Sequence, residues 1–349
     1  MKVQPMTAEK HLKQAVLWDP VEGKKTQCYL CAHRCLIADG KIGRCAVRKN
    51  IAGVLYSLNY EKIVSANPDP IEKKPLFHFQ PASKSFSIAT MGCNFRCEFC
   101  QNWQISQAIV ETGEIDGQAI PPEQIVNAAI RSGCKSIAYT YTEPTIFMEL
   151  ACDCAKLAKQ HGLTNVFVSN GYQTKEAIDF AAEWLDGINV DLKAFSEDYY
   201  RRLCKAKLQP VLDTIEYIAK HTNIWLETTT LLLPDENDSE EELKRLADFL
   251  VTKAGPDFPW HISRFYPQYK YADSVPTPPK SLQRAYEIGK QAGLRYVYLG
   301  NVPGSKQENT YCYKCGKLLI ERVGYNVAAN NLKDSCCPDC STKIAGRWA

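Results

Sequence analysis

Between residues 85 and 299 the chain alternates short apolar runs with longer amphipathic stretches. Ser85–Thr90, Ser136–Tyr139, Asn165–Ser169, Gly187–Asp191, Asn223–Leu231, Trp260–Ser263 and Tyr296–Leu299 have the length and composition of strands. Between them, Thr145–His161, Thr174–Trp184, Pro210–His221, Ser239–Thr252 and Lys280–Ala292 read as helices. Repeated strand-then-helix units fold as a parallel sheet covered by helices. Seven or eight such strands suit a barrel better than a single nucleotide-binding sheet, so the predicted fold is α/β, a partial or full (β/α) barrel. The acidic run Asp235–Glu242 fits a capped helix start, its carboxylates at the positive end of the dipole, better than a metal-binding loop.

The flanks leave this pattern. Residues 1–85 are irregular apart from strand-like pieces such as Val54–Leu58, and the proline-bearing Asn67–Pro75 reads as an extended connection. Three units are predicted: a cysteine-rich module over 1–85, the barrel over 86–304, and a zinc-ribbon-like module over 305–349. A length of 349 residues accommodates all three. Lys+Arg exceed Asp+Glu by 42 − 39 = 3, too few for a nucleic-acid or anionic-lipid footprint. No run approaches the roughly 20 apolar residues that span a membrane. Met1–Lys13 lacks the apolar core of a signal peptide.

Twelve of the sixteen cysteines fall in three tight clusters, at 28–45, 93–100 and 312–340. Clustered thiols in a chain with no expected secretory signal read as metal ligands, and they place the protein in a reducing compartment, the cytoplasm. The middle cluster, Cys93-Asn94-Phe95-Arg96-Cys97-Glu98-Phe99-Cys100, begins directly after the first predicted barrel strand. Three thiolates in eight residues can wrap one compact soft metal centre. No fourth cysteine stands nearby, and the closest upstream histidine is His78. In a four-iron cubane, three protein thiolates leave one iron open to a small molecule. The other reading is a structural zinc site completed by a remote residue, but such sites normally show paired knuckles. Gly92 lets the backbone approach closely at the turn, and Phe99 puts an aromatic ring beside the centre.

The segment Gly92–Asn102 resembles the signature of the radical S-adenosylmethionine superfamily. That resemblance implies a [4Fe–4S] cluster on Cys93, Cys97 and Cys100 whose open iron binds S-adenosylmethionine. It also implies one-electron cleavage of the sulfonium to a 5′-deoxyadenosyl radical, and hydrogen abstraction from a substrate. Four stretches extend the likeness to the radical enzyme of the AmmeMemoRadiSam system, related to pyruvate formate-lyase activating enzymes. They are Cys28 to Cys45, Asp69–Leu76, the central cluster with Gln101-Asn102, and Gly300–Gly304. The likeness implies an electron donor such as flavodoxin or ferredoxin, and association with Memo-like and AMMECR-like proteins. The substrate is not written in these residues; it is a small molecule or a protein.

The same resemblance places the cofactor pocket at later strand ends, in line with the general rule for barrels. Relatives carry Gly-Gly-Glu-Pro where this chain has Tyr141-Thr142-Glu143-Pro144, so Thr142 and Glu143 are candidates although the two glycines are absent. Glu143 also reads as a helix N-terminal carboxylate. Ser169-Asn170-Gly171 is similar to the family's Thr-Asn-Gly, and Asp191-Leu192-Lys193 to an activase Asp-x-Lys. Alternation puts Asp191 and Lys193 on one face, where they fit either a carboxylate-binding pair or a structural ion pair. His261 and Tyr269 are near enough to face substrate, yet a lone strand histidine is more often a core residue.

Cys312-x-x-Cys315 and Cys337-x-x-Cys340 are paired knuckles that fit a zinc ribbon, with Cys336 as an extra thiol and Gly316 at the knuckle turn. Cys28, Cys31, Cys35 and Cys45 fit zinc or an auxiliary [4Fe–4S] cluster relaying electrons, with a slight lean to zinc. Two other functions compete with the main one. A glycyl-radical activase would act on a glycine of a partner protein. A non-catalytic metal-binding or nucleic-acid adaptor would use its cysteine modules alone, and the small net charge weighs against it.

Overall fold

Each of the seven runs between residues 85 and 299 becomes a strand of one sheet. In a computed structural model, which describes residues 12–348, these are β1 (Lys84–Thr90), β2 (Ser136–Tyr139), β3 (Thr164–Ser169), β4 (Gly187–Asp191), β5 (Trp225–Leu232), β6 (Trp260–Arg264) and β7 (Val297–Gly300). All are parallel and lie side by side in chain order. Helices α1 (Pro122–Arg131), α2 (Met148–Gln160), α3 (Lys175–Ala182), α4 (Gln209–His221), α5 (Glu240–Phe249) and α6 (Pro279–Ala292) make the crossovers. Local chemistry sets their starts. Thr174 caps α3 by accepting from Ala177 N at 3.2 Å, and Ser239 caps α5 by accepting from Glu242 N at 3.3 Å. The acidic run is thus a capped helix start.

The ladder does not close. Lys62–Pro70 pairs antiparallel with β1, and Gln118–Ala119 pairs with its outer side, giving nine strands with β7 at the opposite edge. The barrel is therefore partial, and residues within the 1–85 segment share its sheet. The stretch read as an extended connection is strand as far as Pro70, then a 3-10 turn at Ile71–Lys73. Pro68 and Pro70 lie beyond Gln118–Ala119, which pairs only with Lys62 and Ile63; a strand without an outer neighbour tolerates proline.

Alternation splits the side chains into two layers. Ile137, Phe167 and Ile188 join the main core, while Ala138 and Val166 pack with Ile71, Leu76 and Phe79. Residues 71–80 fill the interior. A Cβ on Gly187 would meet the Phe79 ring at 3.0 Å, so this residue must be small. Glu227 accepts from the Phe77 and His78 backbone N–H groups at 2.9 and 2.7 Å, and Asn189 donates to Pro75 O at 2.7 Å. This plug occupies the N-terminal half of the barrel. The C-terminal strand ends are left to form a cavity.

Both flanking modules are docked on the barrel. Phe77, Tyr296 and Tyr298 share a core with Cys312, Leu319, Ile320, Cys337 and Ile344 of the C-terminal module. Arg322, on the strand Leu318–Val323, donates to Phe77 O at 2.8 Å and lies over the Phe77 ring at 4.2 Å. On the N-terminal side, buried Arg48 pairs with buried Glu149 of α2, and Lys13 and Tyr60 both reach Asp153 at 2.6 Å. Residues 1–11 of the Met1–Lys13 stretch lie outside the described residues. Among the described residues no helix is long and apolar enough to cross a membrane.

Candidate active site

One cavity of about 420 Å³ opens at the C-terminal ends of the parallel strands. Cys93, Cys97, Cys100 and Phe99 line it from the loop after β1. Thr142 and Glu143 line it after β2, Ser169 and Asn170 at β3, and Asp191 and Lys193 at β4. The structure thus brings every candidate for the central cluster and the cofactor pocket to one place.

The cysteine loop is shaped by short contacts. Gly92 has φ +105°, and its amide donates to Ile105 O at 2.9 Å. Cys93 Sγ accepts from Phe95 N at 3.3 Å, and Cys100 Sγ lies 3.1 Å from Ser106 Oγ. No three of these thiols sit within 4.8 Å of one another, closer than a multi-iron body requires. Burial and the neighbouring Glu143 carboxylate push the Cys93 thiol pKa up. Neutral thiols buried together in this way gain most from a metal that takes them as thiolates. Cys204 was not foreseen. Arg96 N donates to Cys204 O at 3.0 Å, and the Cys204 thiol, a hydrogen-bond partner of Cys97, raises the Cys97 pKa together with burial. Cys204 lies behind Cys97 rather than on the cavity wall.

The Tyr141–Pro144 turn explains how the chain does without the two glycines. Tyr141 keeps φ at +65°, the left-handed region that glycine enters most easily. Its side chain holds it there. The hydroxyl donates to Asp69, which also accepts from Lys73 at 2.8 Å and Lys74 at 2.7 Å, and Lys74 Nζ lies 4.5 Å from the ring centre. Asn102 donates to Tyr141 O at 2.8 Å, tying this turn to the cysteine loop. Thr142 Oγ1 donates to Thr90 O at 2.9 Å.

Glu143 is 2% exposed and is the hub of this wall. It accepts from Thr145 N at 3.1 Å, Ser169 Oγ at 2.8 Å and Asn170 N at 2.8 Å. It therefore caps the 3-10 turn Pro144–Phe147 while fixing the loop after β3. Burial raises its pKa. Asn170 Nδ2 donates to Asn94 Oδ1 at 2.7 Å, which carries the same network to the cysteine loop. Lys193 donates to Asp191 at 2.9 Å. Burial opposes its charge, yet Asp191 and the thiols of Cys97 and Cys204 raise its pKa well above the usual lysine value.

His261 lines the cavity on β6, where its Nε2 is 2.6 Å from Glu227 of β5. It is 4% exposed, so it is a buried, hydrogen-bonded histidine that also borders the cavity. Tyr269 does not line the cavity; it stacks on Trp103 at 5.2 Å. His78 belongs to the plug, where its ring nitrogens are bonded to Tyr298 Oη and Ala345 O at 2.6 Å each, away from the central thiols. Three further polar groups went unread in the sequence. Glu72 Oε2 and Thr229 Oγ1 face the cavity region buried and without a partner, and Glu227 holds His261. A glutamate inside the apolar strand Trp225–Leu232 was the available signal.

The outer cysteines differ from each other. Cys312, Cys315, Cys337 and Cys340 have Sγ atoms all within 4.8 Å of one another and could hold a metal ion; Cys336 is outside that group. Cys28, Cys31, Cys35 and Cys45 are gathered near the cysteine loop but do not meet that distance.

Known proteins agree with this geometry. The profile of the Radical SAM superfamily matches residues 87–248. The uncharacterized protein MJ0808 of Methanocaldococcus jannaschii is 44% identical, over 95% of this chain and 99% of its own length. A protein of the same organism named as a glycyl-radical enzyme activating enzyme, MJ1632, is 28% identical over 63% of this chain and 80% of its own length. The crystal structure of a radical SAM methyltransferase from Sphaerobacter thermophilus shares the fold. Its TM-score is 0.50 at 16% identity, covering 69% of this chain and 71% of that one. A cysteine loop after the first strand, an open parallel sheet and the superfamily profile over both lead to one conclusion: the chain belongs to the radical S-adenosylmethionine superfamily and is a radical SAM enzyme.

Proposed function

We propose that this enzyme cleaves S-adenosylmethionine reductively at a [4Fe–4S] cluster on Cys93, Cys97 and Cys100 and takes hydrogen from a small polar substrate. The observation that carries this reading is the single cavity onto which the three thiols, Lys193, Asn170 and His261 all open. A cluster with three protein ligands supplies an open iron and one electron, the chemistry that splits a sulfonium carbon–sulfur bond. Lys193, charged beside Asp191, is suited to receive the methionine carboxylate. Thr142, Ser169 and Asn170 offer hydroxyl and amide groups for the amino acid and ribose. Glu143 holds the Ser169–Asn170 loop in place, and Phe99 gives the cluster an apolar neighbour. Glu308, Gly324 and Tyr325 of the C-terminal module complete the cavity wall. A bounded cavity of about 420 Å³ is of small-molecule size.

We read the C-terminal thiols as a zinc ribbon. Tetrahedral zinc–sulfur bonds near 2.3 Å put sulfurs about 3.8 Å apart. Cys312–Cys340 and Cys315–Cys337 are each 3.6 Å apart. The four extended sequence stretches support assignment to the AmmeMemoRadiSam system, with Memo-like and AMMECR-like proteins as partners. A flavodoxin or ferredoxin would be the electron donor, and the cytoplasm the setting.

A second reading, activation of a glycyl-radical enzyme, is favoured by the name of MJ1632. The two separate in one experiment. Reduced enzyme is given S-adenosylmethionine and deuterated metabolite pools under anaerobic conditions. Deuterium in 5′-deoxyadenosine supports a small-molecule substrate. A stable glycyl EPR signal on a co-incubated partner protein, with no deuterium transfer, replaces it with the activase reading.

A further inference from the structure

The N-terminal thiols lie against the catalytic loop. A Cβ on Gly92 would stand 3.1 Å from Cys45 O, and Gly92 directly precedes Cys93. His33 Nε2 is 2.9 Å from Asn94 O, and Arg96 donates to Arg44 O. On the other wall, Ala32 N donates to Tyr172 O at 2.9 Å, and Cys31 forms a β-bridge with Gln173, just past Asn170. These contacts join the segment carrying Cys28–Cys45 directly to both sides of the catalytic loop.

Three thiol sets in one chain calibrate each other. Among the described residues, the ribbon thiols are the cysteine group that gathers to the spacing of a single ion. The catalytic trio does not, and no three of Cys28, Cys31, Cys35 and Cys45 do. The quartet is nonetheless one group. Cys28 N donates to Cys35 O at 2.9 Å, and Cys28 and Cys45 are both buried in the main core. Like the trio, and unlike the ribbon, the quartet is not gathered to the spacing of a single ion. Buried Arg48 adds a sulfur-directed donor, with Nη1 3.5 Å from Cys28 Sγ. Such donors belong to the features that set cluster potentials.

We propose that Cys28, Cys31, Cys35 and Cys45 hold a second iron–sulfur cluster, placed to exchange an electron with the catalytic one. This rests on Cys93, Cys97 and Cys100 being the ligands of the first cluster. The exchange moves one electron and no proton: the second cluster is oxidised by one electron as the first is reduced by one. A low-potential one-electron donor, a protein or dithionite, then restores the second.

The test uses the full chain prepared anaerobically. Iron, sulfide and zinc are counted in wild type, in the triple variant Cys93→Ala/Cys97→Ala/Cys100→Ala, and in Cys28→Ala/Cys45→Ala. Wild type is expected to carry about eight irons, and each variant about four. The dithionite-reduced wild-type EPR spectrum should show spin–spin broadening that the sum of the two variant spectra lacks. A triple variant without iron, with about two zincs per wild-type chain, overturns the proposal. So does a wild-type spectrum equal to that sum. The triple variant alone decides the metal if Cys28→Ala/Cys45→Ala does not fold. Iron lost from Cys28→Ala/Cys45→Ala but retained in full by the triple variant would instead refute the assignment of the first cluster.

Discussion

Gly92 is where the N-terminal module and the catalytic loop meet, and Gly92→Ala measures how closely. A side chain at φ +105° is strained by about 1–3 kcal/mol. The new Cβ would also stand 2.9 Å from Val47 Cγ1, 3.0 Å from Ile146 Cδ1 and 3.1 Å from Cys45 O. Overpacking of that kind costs about 1–3 kcal/mol more. The sum, about 2–6 kcal/mol, corresponds to a melting point lowered by roughly 3–8 °C in a chain of this size. Metal-bound proteins seldom unfold in two states, so identically reconstituted, anaerobic samples are compared by Tm and iron content. Val47→Ala removes one of the three contacts. In the double variant the combined loss should fall short of the sum of the single losses by about 1 kcal/mol. A Gly92→Ala protein with wild-type Tm and full iron would refute the reasoning, because the loop would then not need a glycine.

Tyr141→Phe keeps the ring over Lys74 but removes the hydroxyl bond to ionised Asp69, a loss of about 1.5–3 kcal/mol. Thermal unfolding and S-adenosylmethionine affinity should both weaken, and an unchanged variant would show that Asp69 does not hold the turn. Burial lowers the His78 pKa to about 4, against about 6.5 in the unfolded chain. The unfolded chain then takes up the proton first, so the stability from His78 is full above about pH 6.5 and falls as pH drops toward 4. The loss reaches about 3 kcal/mol. Tm measured from pH 7.5 to 5.5 should decline, and His78→Gln should flatten part of that slope; an equal slope in both would sink the assignment.

Local signals carried most of the barrel into the sequence. Strand runs such as Asn165–Ser169, the caps Thr174 and Ser239, and the cysteine spacing are all set by neighbours a few residues away. Helix α1 was missed although Pro122 opens it, Glu123 sits in its first turn and Arg131 in its last. The strand Lys62–Pro70 was hidden by its prolines, which argue against a paired strand until the free edge is known. The remaining site features join distant parts of the chain. Arg48 with Glu149, Tyr141 with Asp69, and Glu227 with the backbone of His78 leave no local pattern. Tyr141 is the sharpest case: the missing glycines read as a departure from the family, and only the fold shows a tyrosine holding the left-handed turn.

The most direct measurement is 5′-deoxyadenosine formed from S-adenosylmethionine by the anaerobic, dithionite-reduced enzyme, beside Cys93→Ala, Cys97→Ala and Cys100→Ala. Wild type should release 5′-deoxyadenosine and methionine, and each variant should fall to background. Cleavage at near wild-type rate in any variant, or none in iron-loaded wild type, would contradict a cluster held by these three thiols.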